Sequence, residues 1–416
     1  MSRLAINGGE KVRKTPFPAY RVIGKEEEEA AVRVLRSGVL SGYLGCWEDG
    51  FFGGNEVRSL EEEWAAHFGT KHAIAVNSAT SALYIATGAI GIAPQDEVIV
   101  SPYTMSASAV GPLIYNAIPV FADIEKDYFD LDPDSIEARI TDRTKAIIVV
   151  NIFGQPYDRD RINAIAKEHN LKVIEDNAQG PNAMHGNEFA GTLGDIGVFS
   201  LNYHKHIHCG EGGIAVTDDD ELADRMRLIR NHAEAVIGDK GYSDLSNMIG
   251  FNLRMTEIEA SIAREQLKKL NILVDDRVNN VEYLNDKFSK LPCIKTSPVR
   301  KNCKHVYYMH PLIYDKDEAK GVPRERFVEA VRAELTYAEL RENEGALVNY
   351  GYVKPLYLEP IYQNRVAYGR DGYPFSGSKV DYSKGICPMC EKMHFEKLIT
   401  HDYVYSGLSE KDSLSS

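Results

Sequence analysis

A chain of 416 residues is longer than one hydrophobic core usually grows, so two domains sharing a cleft are expected. With 44% hydrophobic and 26% charged residues it can bury a large core, and a net charge of -13 spread along the sequence argues against nucleic acid as a partner. The N-terminus has no apolar signal segment, no later run approaches the roughly 18 apolar residues of a membrane helix, and six scattered cysteines make no disulfide framework, so a cytoplasmic location is expected.

From about residue 72 to about residue 235 short apolar runs alternate with helical patterns, the signature of an α/β fold with a mostly parallel sheet wrapped by helices. Seven strands are predicted, at 72–77, 97–101, 119–122, 146–152, 172–176, 197–201 and 213–217. Helices are predicted at 80–91, 159–169 and 221–231, the last two with apolar residues at three- and four-residue spacing. After Thr256-Glu257-Ile258-Glu259 a long amphipathic stretch carries Leu267, Leu270, Val274, Val281, Leu284 and Phe288, and is expected to run from one domain into the other. The expected division is 1–255 for an N-terminal segment and the large domain, and 256–416 for the linking helix and a smaller α+β domain. Within the latter, Val306-Tyr307-Tyr308-Met309-His310-Pro311-Leu312 reads as a strand, 324–335 as a helix, and the Pro- and Tyr-rich stretch 350–374 as an irregular loop. Only 413–416 look disordered.

Lys205 is the most informative residue. It follows Phe199-Ser200-Leu201-Asn202-Tyr203-His204 and precedes the turn Gly210-Glu211-Gly212-Gly213, so an amine at a strand end lies beside backbone that a ligand can approach closely. That arrangement suits Schiff-base chemistry with an aldehyde cofactor. Asp176, in Val173-Ile174-Glu175-Asp176-Asn177-Ala178-Gln179, is an acid at the tip of a buried apolar strand and could bond a pyridinium nitrogen. The pair suggests pyridoxal 5'-phosphate. Asn77-Ser78-Ala79-Thr80 joins a strand to a helix, where backbone N–H groups can bind phosphate, and Ser200 could add a donor to the same group. Tyr103 follows a strand at the carboxyl end of the sheet, where a flat ring could stack on a pyridine. His204, His206 and His208 alternate, but no carboxylate at suitable spacing completes a metal site, and Cys387-Pro388-Met389-Cys390 lacks a second ligand pair, so no metal is expected.

In order, Asn77-Ser78-Ala79-Thr80, Asp176-Asn177-Ala178-Gln179, Gly194-Asp195-Ile196-Gly197, Phe199-Ser200 to Lys205, Gly210-Glu211-Gly212-Gly213 and Gly250-Phe251-Asn252-Leu253-Arg254-Met255 make the chain resemble the DegT/DnrJ/EryC1/StrS family. These are fold-type I, pyridoxal-phosphate-dependent sugar aminotransferases. The resemblance implies that Lys205 carries the cofactor, Asp176 pairs with its ring nitrogen, and Gln179 lies near its ring oxygen. It also implies that Ser78, Ala79, Thr80 and Ser200 hold the phosphate, that Tyr103 is the stacking aromatic, and that Asn252 reaches the phosphate of a partner subunit in a homodimer. Two positions depart from the family pattern: Asn151 stands where a histidine is frequent, and Asn177 where Ala or Cys is. The segments 42–54 and 350–374 are also atypical, and could shape an acceptor pocket or a subunit interface.

The implied reaction moves an amino group from an amino acid, L-glutamate, to a keto sugar, nucleotide-linked. The alternatives are a ketocyclitol as acceptor, a sugar dehydratase of the subgroup that has histidine in place of the lysine, or a non-catalytic protein on the same fold. The five-residue spacing from Ser200 to Lys205 favours lysine.

Overall fold

The computed structural model describes residues 3–408 and residue 412, so the tail 413–416 lies outside the described residues. Seven strands form the main sheet: β1 His72–Val76, β2 Glu97–Val100, β3 Ile118–Phe121, β4 Thr144–Val150, β5 Lys172–Asp176, β6 Ile196–Ser200 and β7 Gly213–Thr217. Their order across the sheet is β1-β7-β6-β5-β4-β2-β3. The run from β3 to β6 is parallel, and β7 is antiparallel to both β1 and β6. The α/β architecture expected from the sequence is the one found.

Alternation along the strands explains why they are apolar on both faces. Ile74, Val76, Val98, Val100, Ile148 and Ile174 pack into one core, while Ala73, Ala75, Ile99, Ile147, Val149 and Val173 pack into another on the opposite face. The first core is covered by the helices Ala79–Ala89 and Asp220–Arg230, the second by Asn55–Phe68 and the start of Glu257–Phe288. With both faces closed, the ligand-accessible crevice lies at the carboxyl ends of the parallel strands.

The helix Glu257–Phe288 has 32 residues and starts with a capping box, Thr256 accepting from the Glu259 amide while the Glu259 carboxylate accepts from that of Thr256. Ala260, Ala263 and Leu270 serve the main sheet's core, and Val281 and Leu284 pack with Tyr307 and Val404. A second, antiparallel sheet has the order Ile294–Thr296, His310–Tyr314, Leu398–His401, Val348–Tyr350. Packing crosses the chain order. Phe17 stacks on Tyr403 at 4.0 Å in the core of this second sheet, whereas Tyr357, Tyr362, Phe375 and Tyr382 join the core of the first.

One sequence expectation changes. The strand expected over 306–312 is realised at His310–Tyr314, because Tyr307 turns to a φ of +49° and the amides of Val306 and Tyr308 donate to the carbonyls of Gly154 (3.0 Å) and Phe153 (2.7 Å). This detour carries Tyr308 to the crevice. The stretch 350–374 is irregular, as expected, apart from the short turns Leu356–Leu358 and Pro360–Gln363, and it is anchored: the Leu356 amide donates to the Pro102 carbonyl (2.8 Å) and the Tyr368 hydroxyl to that of Leu113 (3.0 Å).

Candidate active site

Asp176 ends β5 in a buried position. Its Oδ2 accepts from the Ser108 hydroxyl at 2.7 Å and its Oδ1 from the Ala178 amide at 3.1 Å. Burial pushes its carboxyl above the ordinary range, and these two bonds together with the charge of Lys205 oppose that rise. Behind it, the two residues that depart from the family pattern form one buried network. Asn151 Nδ2 donates to Glu175 and to Asn177, both at 2.7 Å, and Asn177 Nδ2 donates to the Ala190 carbonyl at 2.8 Å. Every bond satisfies a group that cannot reach water. Gln179 accepts from the Phe153 amide (2.7 Å) and donates to the Tyr352 hydroxyl (2.8 Å).

Lys205 sits in an excursion between β6 and β7 that main-chain bonds close at its base, Leu201 to Gly212 (2.9 Å) and Tyr203 to Gly210 (3.0 Å). Its Nζ stands 4.3 Å from the centroid of the Tyr308 ring. Burial lowers its pKa from 10.5 to about 8, with Asp176 pulling the other way. A neutral, nucleophilic amine is therefore populated close to neutral pH. The neighbouring histidines have different surroundings: His204 lies against Tyr203 at 3.7 Å, while buried His206 bonds the Val306 carbonyl at 2.9 Å. Among the described residues no group of three His, Cys, Asp or Glu could hold a metal ion.

A third part of the crevice is made by close approach. Gly213 pairs with Val76 on one side and Ser200 on the other, and a Cβ on it would fall 2.4 Å from the carbonyl carbon of Ser78. Glycine therefore lets β7 lie against the start of the helix Ala79–Ala89, and brings Ser200 into the same corner as Ser78, Ala79 and Thr80. Ser78 caps the helix, accepting from the Ser81 amide at 3.1 Å. The first helical N–H groups have no intrahelical acceptor and carry the positive end of the helix dipole, so the corner suits a phosphate. An amine of lowered pKa, a buried acid and this corner together fit pyridoxal phosphate.

Tyr103 is fully buried, its hydroxyl 3.4 Å from His394 Nδ1 and its ring edge-on to Tyr352 at 6.0 Å. Asn252 is exposed. Its side-chain oxygen accepts from Arg254 Nε at 2.8 Å, and the backbone of Arg254 bridges Val76. Sequence reasoning missed Ser108, Tyr308 and Tyr352. Ser108 carries no motif signal, and the two tyrosines lie about 100 and 150 residues beyond Lys205, among many others.

A model of the DegT/DnrJ/EryC1/StrS aminotransferase family matches residues 24–397. The GDP-perosamine synthase of Caulobacter vibrioides is 40% identical over 260 residues, 62% of this chain and 69% of that protein. The L-glutamine:2-deoxy-scyllo-inosose aminotransferase of Streptoalloteichus tenebrarius is 31% identical over 412 residues, 95% of this chain and 92% of that one. The solved aminotransferase from Psychrobacter cryohalolentis matches with a TM-score of 0.80 and 29% identity, over 96% of each chain. The chain belongs to the DegT/DnrJ/EryC1/StrS aminotransferase family and is a fold-type I, pyridoxal-phosphate-dependent aminotransferase.

Proposed function

We propose that the protein transfers an amino group from L-glutamate to a nucleotide-linked keto sugar, working as a homodimer. The observation that carries this reading is the 40% identity to a protein named for making GDP-perosamine, a nucleotide-linked amino sugar. When bound, pyridoxal phosphate supplies a ring that accepts the electrons released as a substrate α-proton leaves. In this reading Asp176 keeps a proton on the ring nitrogen, Gln179 lies beside the ring oxygen, and Tyr103 flanks the ring. Ser78, Ala79, Thr80 and Ser200 bind the phosphate, and Asn252 reaches the phosphate of the partner subunit. Lys205 would anchor the cofactor, and its neutral amine would be placed to take the proton from the donor's α-carbon and to return it. The lowered pKa of Lys205 supports that double duty.

A second reading, with a ketocyclitol as acceptor, is favoured by the 31% identity to the 2-deoxy-scyllo-inosose aminotransferase over nearly the whole chain. Protein loaded with pyridoxamine phosphate and mixed with nucleotide-linked keto sugars or ketocyclitols separates the two. Return of visible absorption with a keto sugar is expected. Return with ketocyclitols alone would transfer the assignment to the second reading, and no return with either would end both.

A further inference from the structure

Among the described residues five arginines are buried: Arg13, Arg225, Arg230, Arg277 and Arg324. Four of them meet a carboxylate, in the pairs Arg13–Asp412, Arg225–Asp244, Arg230–Glu61 and Arg324–Glu325. Arg277 is the exception. It is 4% exposed, on the helix Glu257–Phe288, and no carboxylate of the described residues forms an ion pair with it. Its Nη1 donates to the carbonyls of Tyr307 (3.2 Å) and Tyr308 (3.3 Å), its Nε has no partner, and the guanidinium lies 5.0 Å from the centroid of the Tyr20 ring. Carbonyls and a ring orient this cation, and Asp402 acts on it electrostatically without forming an ion pair with it. A buried guanidinium, which stays charged at any working pH, ordinarily has an anion beside it.

Arg277 lines a cavity of about 320 Å³, together with Tyr20, His204, Tyr308, Arg341 and Asp402. Lys205 stands over the Tyr308 ring and His204 is its neighbour in sequence, so the cavity adjoins the reactive amine. Two carboxylates line its wall, Asp402, which accepts from Arg341 at 3.0 Å, and exposed Glu339, against the three arginines Arg21, Arg277 and Arg341. The size falls at the lower end of small-ligand pockets. We propose that this cavity is the oxyanion subsite for a substrate of the Lys205 centre, with Arg277 as the counter-charge. The inference rests on the proposed function for placing a substrate at Lys205, and names what that substrate brings: a carboxylate of the amino donor or a phosphate of the acceptor.

Calorimetric titration of the cofactor-loaded protein with glutarate and with inorganic phosphate tests this. Wild type is expected to bind at least one of them, and Arg277→Gln to bind it at least about tenfold more weakly, while Arg277→Lys recovers part of the loss. An Arg277-dependent response to glutarate alone assigns the donor's carboxylate, and one to phosphate alone the acceptor's phosphate. Unchanged affinity of Arg277→Gln for both anions overturns the proposal. Should that variant not fold, wild type supplies the test: the neutral isostere glutaramide is expected to bind at least about tenfold more weakly than glutarate, and equal affinity for the two together with no binding of phosphate refutes the subsite. Visible absorption on loading is read separately. Its absence would sink the proposed function, while the glutarate titration, run on the unloaded protein, would still decide the subsite.

Discussion

Arg230 and Lys205 are both cations enclosed against the main sheet, and the sheet treats them in opposite ways. Arg230 Nη1 donates to Glu61 Oε1 at 2.6 Å and to the Ala75 carbonyl at 3.0 Å, and the same Glu61 oxygen accepts from the Ala75 amide at 2.8 Å. Ala75 belongs to β1, the edge strand, so this ion pair occupies backbone groups that no further strand can take. Among the described residues no carboxylate bonds Lys205. Asp176 acts on it from a distance, and burial moves both groups toward their neutral forms. A buried charge closed on its own partner secures the fold, whereas one held short of its partner is available for the reactive role proposed for Lys205.

The largest expected effect lies on the reactive side. Lys205→Ala should lower multiple-turnover amino transfer by at least about 10³-fold, measured as product formed per loaded enzyme, with little change in melting temperature. Undiminished turnover would remove Lys205 from the centre and erase the contrast. On the structural side Glu61→Gln should destabilise the fold by about 3 kcal/mol in denaturant titration, since Arg230 would be left buried without its anion. A loss well under 1 kcal/mol would mean that the pair is not what holds the edge strand.

The smallest effect is a matter of pH. The amine must be neutral to attack an aldehyde, so the rate at which unloaded protein takes up pyridoxal phosphate should rise with pH and level off above a midpoint of about 8, well below the 10.5 of an ordinary lysine. Well below the midpoint it should fall about tenfold per pH unit. Because the carboxylate of Asp176 stabilises the protonated amine, Asp176→Asn should move the midpoint lower. A midpoint near 10.5, or an upward move in that variant, contradicts the electrostatics described for the site.

The strands and the order of the motifs were legible because each is a local pattern: short apolar runs, a helix after Ser78, glycines after Lys205. The reading was weaker where long-range contacts override propensity. Val306 to Leu312 has the residues of a strand, but its first amides find acceptors at Phe153 and Gly154. The aromatic stretch after Tyr350 has turn-forming residues, yet buries Tyr357 and Tyr362 against the main sheet and sends Tyr352 to Gln179.

By itself the sequence determined the seven-stranded α/β sheet and the kind of chemistry, since an amine, an acid and a phosphate corner at the ends of successive strands follow from residue types and spacings along one chain. Only the tertiary structure decided which buried charges are neutralised. The carboxylate that meets Arg230 comes from 169 residues away, and the cavity beside Arg277 gathers side chains from near both ends of the chain. Ion pairing is settled by distances of a few ångströms between remote segments, and no periodicity in the sequence encodes those distances.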